Sequence, residues 1–218
     1  MDCGAIFDWD GVVIDSSRCH EKSWDLLAEE EGRILPEGHF KKGFGRKNQV
    51  IIPDILGWTR DPDEIERLGH RKEALYRQLV LEDGVERISG IEDFLKSLWS
   101  AGIPCAVGSS TPRKNVETIL GLVGFAGYFE AIVCAEDVTH GKPHPEVFLT
   151  AATKLGIQPE NCVVFEDAFA GLEAAKAGGM KSIGLATTHP AESLQAHKPD
   201  LVLENFLSFS AAEFLRIF

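Results

Sequence analysis

Ala5-Ile6-Phe7-Asp8-Trp9-Asp10-Gly11-Val12-Val13 is the stretch on which the fold turns. Ala5-Ile6-Phe7 is a short apolar run that stops at acidic and glycine residues. It reads as a buried strand whose carboxyl end carries polar groups. The same kind of unit recurs after Gly84. Pro104-Cys105-Ala106-Val107 is a short strand that ends in Gly108-Ser109-Ser110-Thr111. Ala131 to Cys134 is a strand, and Cys162-Val163-Val164-Phe165 is another, ending in Glu166-Asp167. Ser182 to Leu185 and Leu201 to Leu203 complete the set. Helical patterns lie between them at Ile91–Ser100, Asn115–Leu120, Pro145–Leu155 and Gly171–Ala177. Short apolar strands alternating with helices imply a parallel sheet covered on both faces.

The stretch from Ser16 to about Asp83 has a different pattern. Cys19, Trp24, Leu27 and Ala28 suit one face of a helix. Gly32 ends that helix, Gly43-Phe44-Gly45 is a break, and Asp61-Pro62 offers an N-cap and an N1 proline for a long helix to about Leu81. The fold class expected is α/β: a Rossmann-like parallel sheet core with an inserted α-helical cap domain. The core is expected at residues 1–15 and 84–218, and the cap at residues 16–83.

The 218 residues are 44% hydrophobic and 26% charged, which suits a soluble globular chain with one full core and a small second domain. The formal net charge is -12, so long-range attraction to nucleic acid or to an anionic membrane is not expected. An anionic substrate would need a metal or a local basic patch. The five cysteines are odd in number and none has CxxC spacing, which argues against a disulfide framework or a zinc site and for a reducing cytosol. The opening MDCGAIFDWD lacks a basic n-region, and no apolar run is long enough to span a bilayer. No leader and no membrane span are expected, and the expected state is a cytoplasmic monomer or weak dimer.

In open parallel sheets, ligands bind beyond the carboxyl ends of the strands. The residues just past those ends are Asp8, Asp10, Ser109, Ser110, Thr111, Glu166 and Asp167, with Lys142 in Gly141-Lys142-Pro143. Acids, hydroxyls and one lysine at one sheet edge suit a divalent cation plus a phosphate.

Phe7-Asp8-Trp9-Asp10-Gly11-Val12-Val13 resembles the DxDGV signature of the haloacid dehalogenase superfamily. Ser109, Lys142 and Glu166-Asp167 resemble its other three motifs, in the same order, and the helical insertion resembles its small first-class cap. The resemblance implies an Asp8 nucleophile that becomes an aspartyl phosphate, and an Asp10 general acid/base. It implies Mg2+ held by Asp8, the Asp10 carbonyl, Asp167 and Glu166, and a phosphoryl group held by Ser109, Ser110 and Lys142. The second aspartate is absent from the superfamily's dehalogenases, so a small phosphorylated metabolite is the expected substrate, with no nucleic acid and no membrane as partner.

The inserted helices leave several readings open. His20-Glu21-Lys22-Ser23-Trp24 resembles the His-x-x-x-Trp segment of β-phosphoglucomutases, and Arg46 and Lys72 resemble the cap residues that hold a distal phosphate there. The second motif departs from that pattern, since Ser110-Thr111-Pro112-Arg113 stands where the mutases have serine and Lys-Asn. A phosphatase, a hexose-phosphate mutase and a pyrophosphatase therefore all remain. Blander readings stand beside these. His20 reads equally as a histidine paired on a helix face, Lys72 as part of a charge-rich amphipathic helix, and the Lys41–Lys47 run as a solvated loop. Trp24 and Trp99 read as core residues. A receiver domain phosphorylated on aspartate is the non-enzyme alternative, opposed by Asp10 and by the insertion.

Overall fold

The structure is a computed structural model that describes residues 2–43 and 46–218. Phe44 and Gly45, within the expected break between helices, lie outside the described residues. The chain runs β1 (Gly4–Phe7), β2 (Ile14–Asp15), α1 (Ser17–Glu30), α2 (His39–Gly43), α3 (Asn48–Val50), a π-helical turn (Ile51–Ile55) and α4 (Pro62–Asp83). It continues through β3 (Glu86–Arg87), α5 (Ile91–Ser100), β4 (Cys105–Gly108), α6 (Arg113–Val123), β5 (Ala131–Val133), α7 (Glu146–Leu155) and β6 (Cys162–Glu166). It closes with α8 (Phe169–Ala177), β7 (Lys181–Leu185), α9 (Ala191–Gln195), β8 (Leu201–Leu203) and α10 (Ala211–Leu215). Two compact units result, Met1–Asp15 with Glu86–Phe218, and Ser16–Val85.

In the larger unit, six strands form one sheet in the order β5-β4-β1-β6-β7-β8, all parallel. β1 pairs with β4 at Phe7↔Val107 and with β6 at Phe7↔Phe165. The order reverses at β1, so the crevice beyond the ends of β1, β4 and β6 is the topological switch point, where α/β sheets bind ligands. All four β1 residues and all five β6 residues are buried, as strands covered on both faces must be.

Alternation along β1 divides the core into two layers. Ile6 joins Ala106, Val164, Val147 and Phe148 on one face, which α7 covers. Phe7 points to the other face. It stacks on Phe165 at 4.7 Å, and Phe94 of α5 meets it edge-on at 6.0 Å. Phe94 also stacks on Phe206 at 5.2 Å and contacts Phe209, so α5 is anchored by an aromatic layer. Trp99 does not join this core. It is 69% exposed, because the buried face of α5 carries Ile91, Phe94, Leu95 and Leu98, and residue 99 lies one helical step round from that stripe.

Two features escape the periodicity reading. β2 and β3 form a two-residue antiparallel ribbon, Ile14↔Arg87 and Asp15↔Glu86, too short to leave a pattern. Residues 48–55, whose apolar run is interrupted by Pro53 and Asp54, form a turn of α-helix followed by a π-helical turn.

The smaller unit packs α1 against α4 around Trp24, Leu27, Ile51, Ile52, Leu56, Leu68 and Leu75. Cys19, Trp24, Leu27 and Ala28 form the buried face of α1. Asp61 caps α4, its Oδ1 accepting the Glu64 N–H at 2.9 Å, with Pro62 following. Arg67 and Arg71 of α4 pair with Glu31, just past the end of α1, and with Glu30, its last residue, at the surface, where such pairs add little stability.

The aromatic layer carries a stability prediction. Phe94→Ala deletes the ring shared by Phe7, Phe165, Phe206 and Phe209 and is expected to cost about 3–5 kcal/mol by urea denaturation. A loss under about 1 kcal/mol would contradict this packing.

Candidate active site

Each strand end at the switch point delivers its polar group by a local device. Asp8 follows β1 directly, and its N–H donates to the Phe165 carbonyl at 2.9 Å, which ties it to the end of β6. The chain then turns tightly, with Val13 N–H donating to Trp9 O at 2.9 Å and Gly11 N–H to Ile14 O at 2.8 Å. Gly11 has φ +77, and a Cβ there would lie 2.0 Å from Asp167 Oδ2. Only glycine satisfies both the left-handed backbone and the close approach of that carboxylate. Thr187 Oγ1 donates to the Gly11 carbonyl at 2.6 Å and secures the turn from β7's end.

Beyond β4, Ser109 is buried and its Oγ accepts the Thr111 N–H at 3.2 Å. Thr111 Oγ1 in turn donates to Asp10 Oδ2. Ser110, between them, is half-buried. Lys142, joined to Pro143 by a cis peptide, brings its Nζ to 2.9 Å from Asp8 Oδ1 and 2.6 Å from Glu166 Oε1, with the Phe148 ring 4.7 Å away. Glu166 Oε2 accepts the Ala168 N–H at 2.7 Å, and Asp167 Oδ2 accepts from Thr188 Oγ1. α8 leaves room for Glu166 through Gly171, where a Cβ would lie 1.7 Å from Oε1.

Asp8, Glu166 and Asp167 thus offer oxygens within 4.8 Å of one another, against one ammonium. Burial, opposed by Lys142 and aided by Glu166, pushes the Asp8 carboxyl up to about 6. Burial, with Glu166 and Asp8 beside it, raises Asp167 well above the usual range. Burial works against the charge of Lys142, but Asp8 and Glu166 outweigh it and hold its pKa above that of an ordinary lysine. Three clustered carboxylates facing one cation are short of positive charge. An oxygen-only donor set of this kind fits a hard divalent cation such as Mg2+. The side chain of Asp10 is not in that triad and is held separately by Thr111.

Sequence reasoning placed Asp8, Asp10, Ser109, Ser110, Lys142, Glu166 and Asp167 at strand ends, and these seven lie in the larger unit. Thr111 was visible in the hydroxyl run but not as the partner of Asp10. Thr188 was missed, although Thr187-Thr188 follows β7 as the other sets follow their strands. His20, Arg46 and Lys72 lie in the smaller unit. There Lys72 is buried, its Nζ 2.6 Å from His20 Nδ1 and 3.1 Å from Glu73 Oε1, with the Trp24 and Tyr76 rings 5.5 and 5.3 Å away. His20 stacks on Tyr76 at 4.0 Å, and Asn48 Nδ2 donates to Glu73 Oε1 at 2.8 Å. The burial and pairing of Lys72 set it apart from the exposed ion pairs elsewhere on α4. Arg46 is exposed, its N–H donating to the Gly43 carbonyl.

A parallel α/β sheet with acids and a lysine gathered at its switch point defines a class of enzymes that act on phosphate-like groups. Residues 4–179 match the haloacid dehalogenase-like hydrolases, and the chain belongs to that family. It is 39% identical over 196 residues to the chloroplastic 5-amino-6-(5-phospho-D-ribitylamino)uracil phosphatase of Arabidopsis thaliana, covering 88% of this chain but only 52% of that one. The chain thus spans about half the length of that relative. It is 34% identical to a fructose-1-phosphate phosphatase of Escherichia coli, covering 83% of this chain and 94% of the other. A solved β-phosphoglucomutase from Clostridium difficile superposes with a TM-score of 0.86 at 28% identity, over 100% of this chain and 97% of that one.

The fit of the carboxylates to a hard cation is open to a direct check. Mg2+ at about 100 times its Kd is expected to stabilise the fold by about 2.7 kcal/mol, read as a rise in Tm. Asp167→Asn is expected to remove most of that rise, and an undiminished shift would contradict the assignment.

Proposed function

We propose that this protein is a Mg2+-dependent phosphohydrolase that acts on a small phosphorylated metabolite through an aspartyl phosphate on Asp8. The observation that carries the reading is the contrast between two aspartates two residues apart. Asp8 is ion-paired to Lys142 within the carboxylate cluster, whereas Asp10 is hydrogen-bonded by Thr111 outside it. Divergent environments for neighbouring carboxylates are how one site assigns nucleophile and acid/base roles.

In this mechanism Asp8 attacks phosphorus and the bond from phosphorus to the leaving oxygen breaks, while Asp10 gives that oxygen a proton. Asp10 then takes a proton from water as the water oxygen attacks the phosphoryl group, and Asp8 is released with inorganic phosphate. Lys142, Ser109 and Ser110 hold the phosphoryl oxygens, and the ammonium offsets their developing charge. Asp8, Asp167, Glu166 and the Asp10 carbonyl would hold Mg2+. When bound, Mg2+ supplies positive charge to the phosphoryl oxygens.

The names of the relatives favour a phosphorylated sugar or sugar alcohol as substrate. The helices of residues 16–83 act as a substrate-selecting cap, with His20, Arg46 and Lys72 as candidate contacts. Among the described residues no helix is long and apolar enough to cross a membrane, and the five cysteines are buried thiols, which suits a reducing compartment such as the cytosol. A mutase is the second reading, favoured by the part-buried His20–Lys72 pair and by the β-phosphoglucomutase likeness.

Two assays test these readings. Asp8→Asn is expected to lower kcat on p-nitrophenyl phosphate at least about a thousandfold, or about 4 kcal/mol, with circular dichroism unchanged. Substantial residual turnover would remove Asp8 as nucleophile. With β-glucose 1-phosphate and a trace of the 1,6-bisphosphate, phosphate release without glucose 6-phosphate supports the hydrolase. Rapid glucose 6-phosphate formation without phosphate release would replace that reading with the mutase.

A further inference from the structure

The loop Thr139-His140-Gly141-Lys142-Pro143-His144-Pro145-Glu146 carries a second group of metal-ligating side chains, none of them in the carboxylate cluster. His144 N–H donates to the Gly141 carbonyl at 3.0 Å, closing a turn that brings the His140 and His144 rings to 4.6 Å. Glu146, the first residue of α7, points back at them. Its Oε1 accepts the Thr139 N–H at 2.9 Å and its Oε2 accepts the His140 N–H at 2.8 Å. The carboxylate is thus fixed in place by backbone donors, as the ligands of metal sites are. Those same bonds, with His140 Nδ1 beside them, hold its pKa down to about 2, so it is ionised at any physiological pH.

We propose that His140, His144 and Glu146 form a surface site for a borderline transition metal of the Zn2+ class. His140 Nδ1 lies 3.0 Å and His144 Nδ1 3.9 Å from Glu146 Oε2, and the donor atoms of all three residues lie within 4.8 Å of one another. Tetrahedral Zn2+ with bonds of about 2.0–2.1 Å needs donor–donor edges of about 3.3 Å, which those two distances bracket. The metal takes the place of the proton between His140 and Glu146. It also displaces the 3.3 Å contact in which His144 Nδ1 accepts the Glu146 N–H. All three side chains reach solvent, and water completes the coordination. Two imidazoles and a carboxylate favour Zn2+, Co2+, Ni2+ or Cu2+ over Mg2+, which prefers an all-oxygen shell. The bound ion ties residue 140 to residue 146 across Lys142, clamping the loop that carries the lysine.

Co2+ serves as the spectroscopic probe, titrated into the whole protein with Mg2+ saturating the oxygen-only cluster. The expected result is one equivalent bound, with a visible absorption band and no thiolate charge-transfer band, lost on addition of Zn2+. His140→Asn and His144→Asn are each expected to weaken binding at least about tenfold, the lower bound for losing even an outer-shell partner. Both residues are exposed, so the variants leave the packing intact. No band, a thiolate band, or binding unchanged in both variants would overturn the proposal.

Discussion

The ammonium of Lys142 between Asp8 and Glu166 is the constraint on which the rest of the site depends. Three carboxylates brought together below the surface repel one another, and burial pushes two of them, Asp8 and Asp167, toward the protonated state. A single buried cation keeps charge in the cluster without balancing it. The oxygen cluster therefore suits a further positive ion. Glycines 11 and 171 serve the same arrangement, because any side chain there would collide with Asp167 or Glu166.

The sheet topology makes the gathering possible. β1 lies between β4 and β6, so the strand ends that carry residues 8, 109 and 166 are neighbours although they are far apart in sequence. The two core layers, mostly aliphatic around Ile6 and Val164 and aromatic around Phe7 and Phe94, hold these strand ends in register from both faces. A rigid platform of this kind suits a reaction that depends on positioning more than on flexible adaptation.

Much of this was legible in the sequence because both signals are local. Apolar triplets such as Ala5-Ile6-Phe7 and Val163-Val164-Phe165 announce buried strands, and the polar residues that follow announce the strand ends. Thr111 and Thr188 were not assigned because a hydroxyl's partner is set by tertiary contact, and neither Asp10 nor Asp167 is near its threonine in the chain. The β2–β3 ribbon left no trace because two residues cannot show alternation. Trp99 misled because size and apolarity say nothing about phase, and one helical step separates it from the buried stripe. Lys72 was ambiguous for a similar reason: a lysine on a charged helix is ordinarily solvated, and its place beside His20, Trp24 and Tyr76 depends on how α1 and α4 pack.

The central claim is that Asp8 carries the phosphoryl group and Asp10 removes it. Acid quenching during turnover of p-nitrophenyl phosphate, followed by peptide mass spectrometry, measures this directly. The account predicts a phosphoryl group on the peptide containing Asp8, and greater accumulation in Asp10→Asn than in the unaltered protein once the phosphorylating step has occurred, because the water then lacks its base. Phosphorylation of a different residue, or turnover with no labelled peptide in either protein, would contradict it.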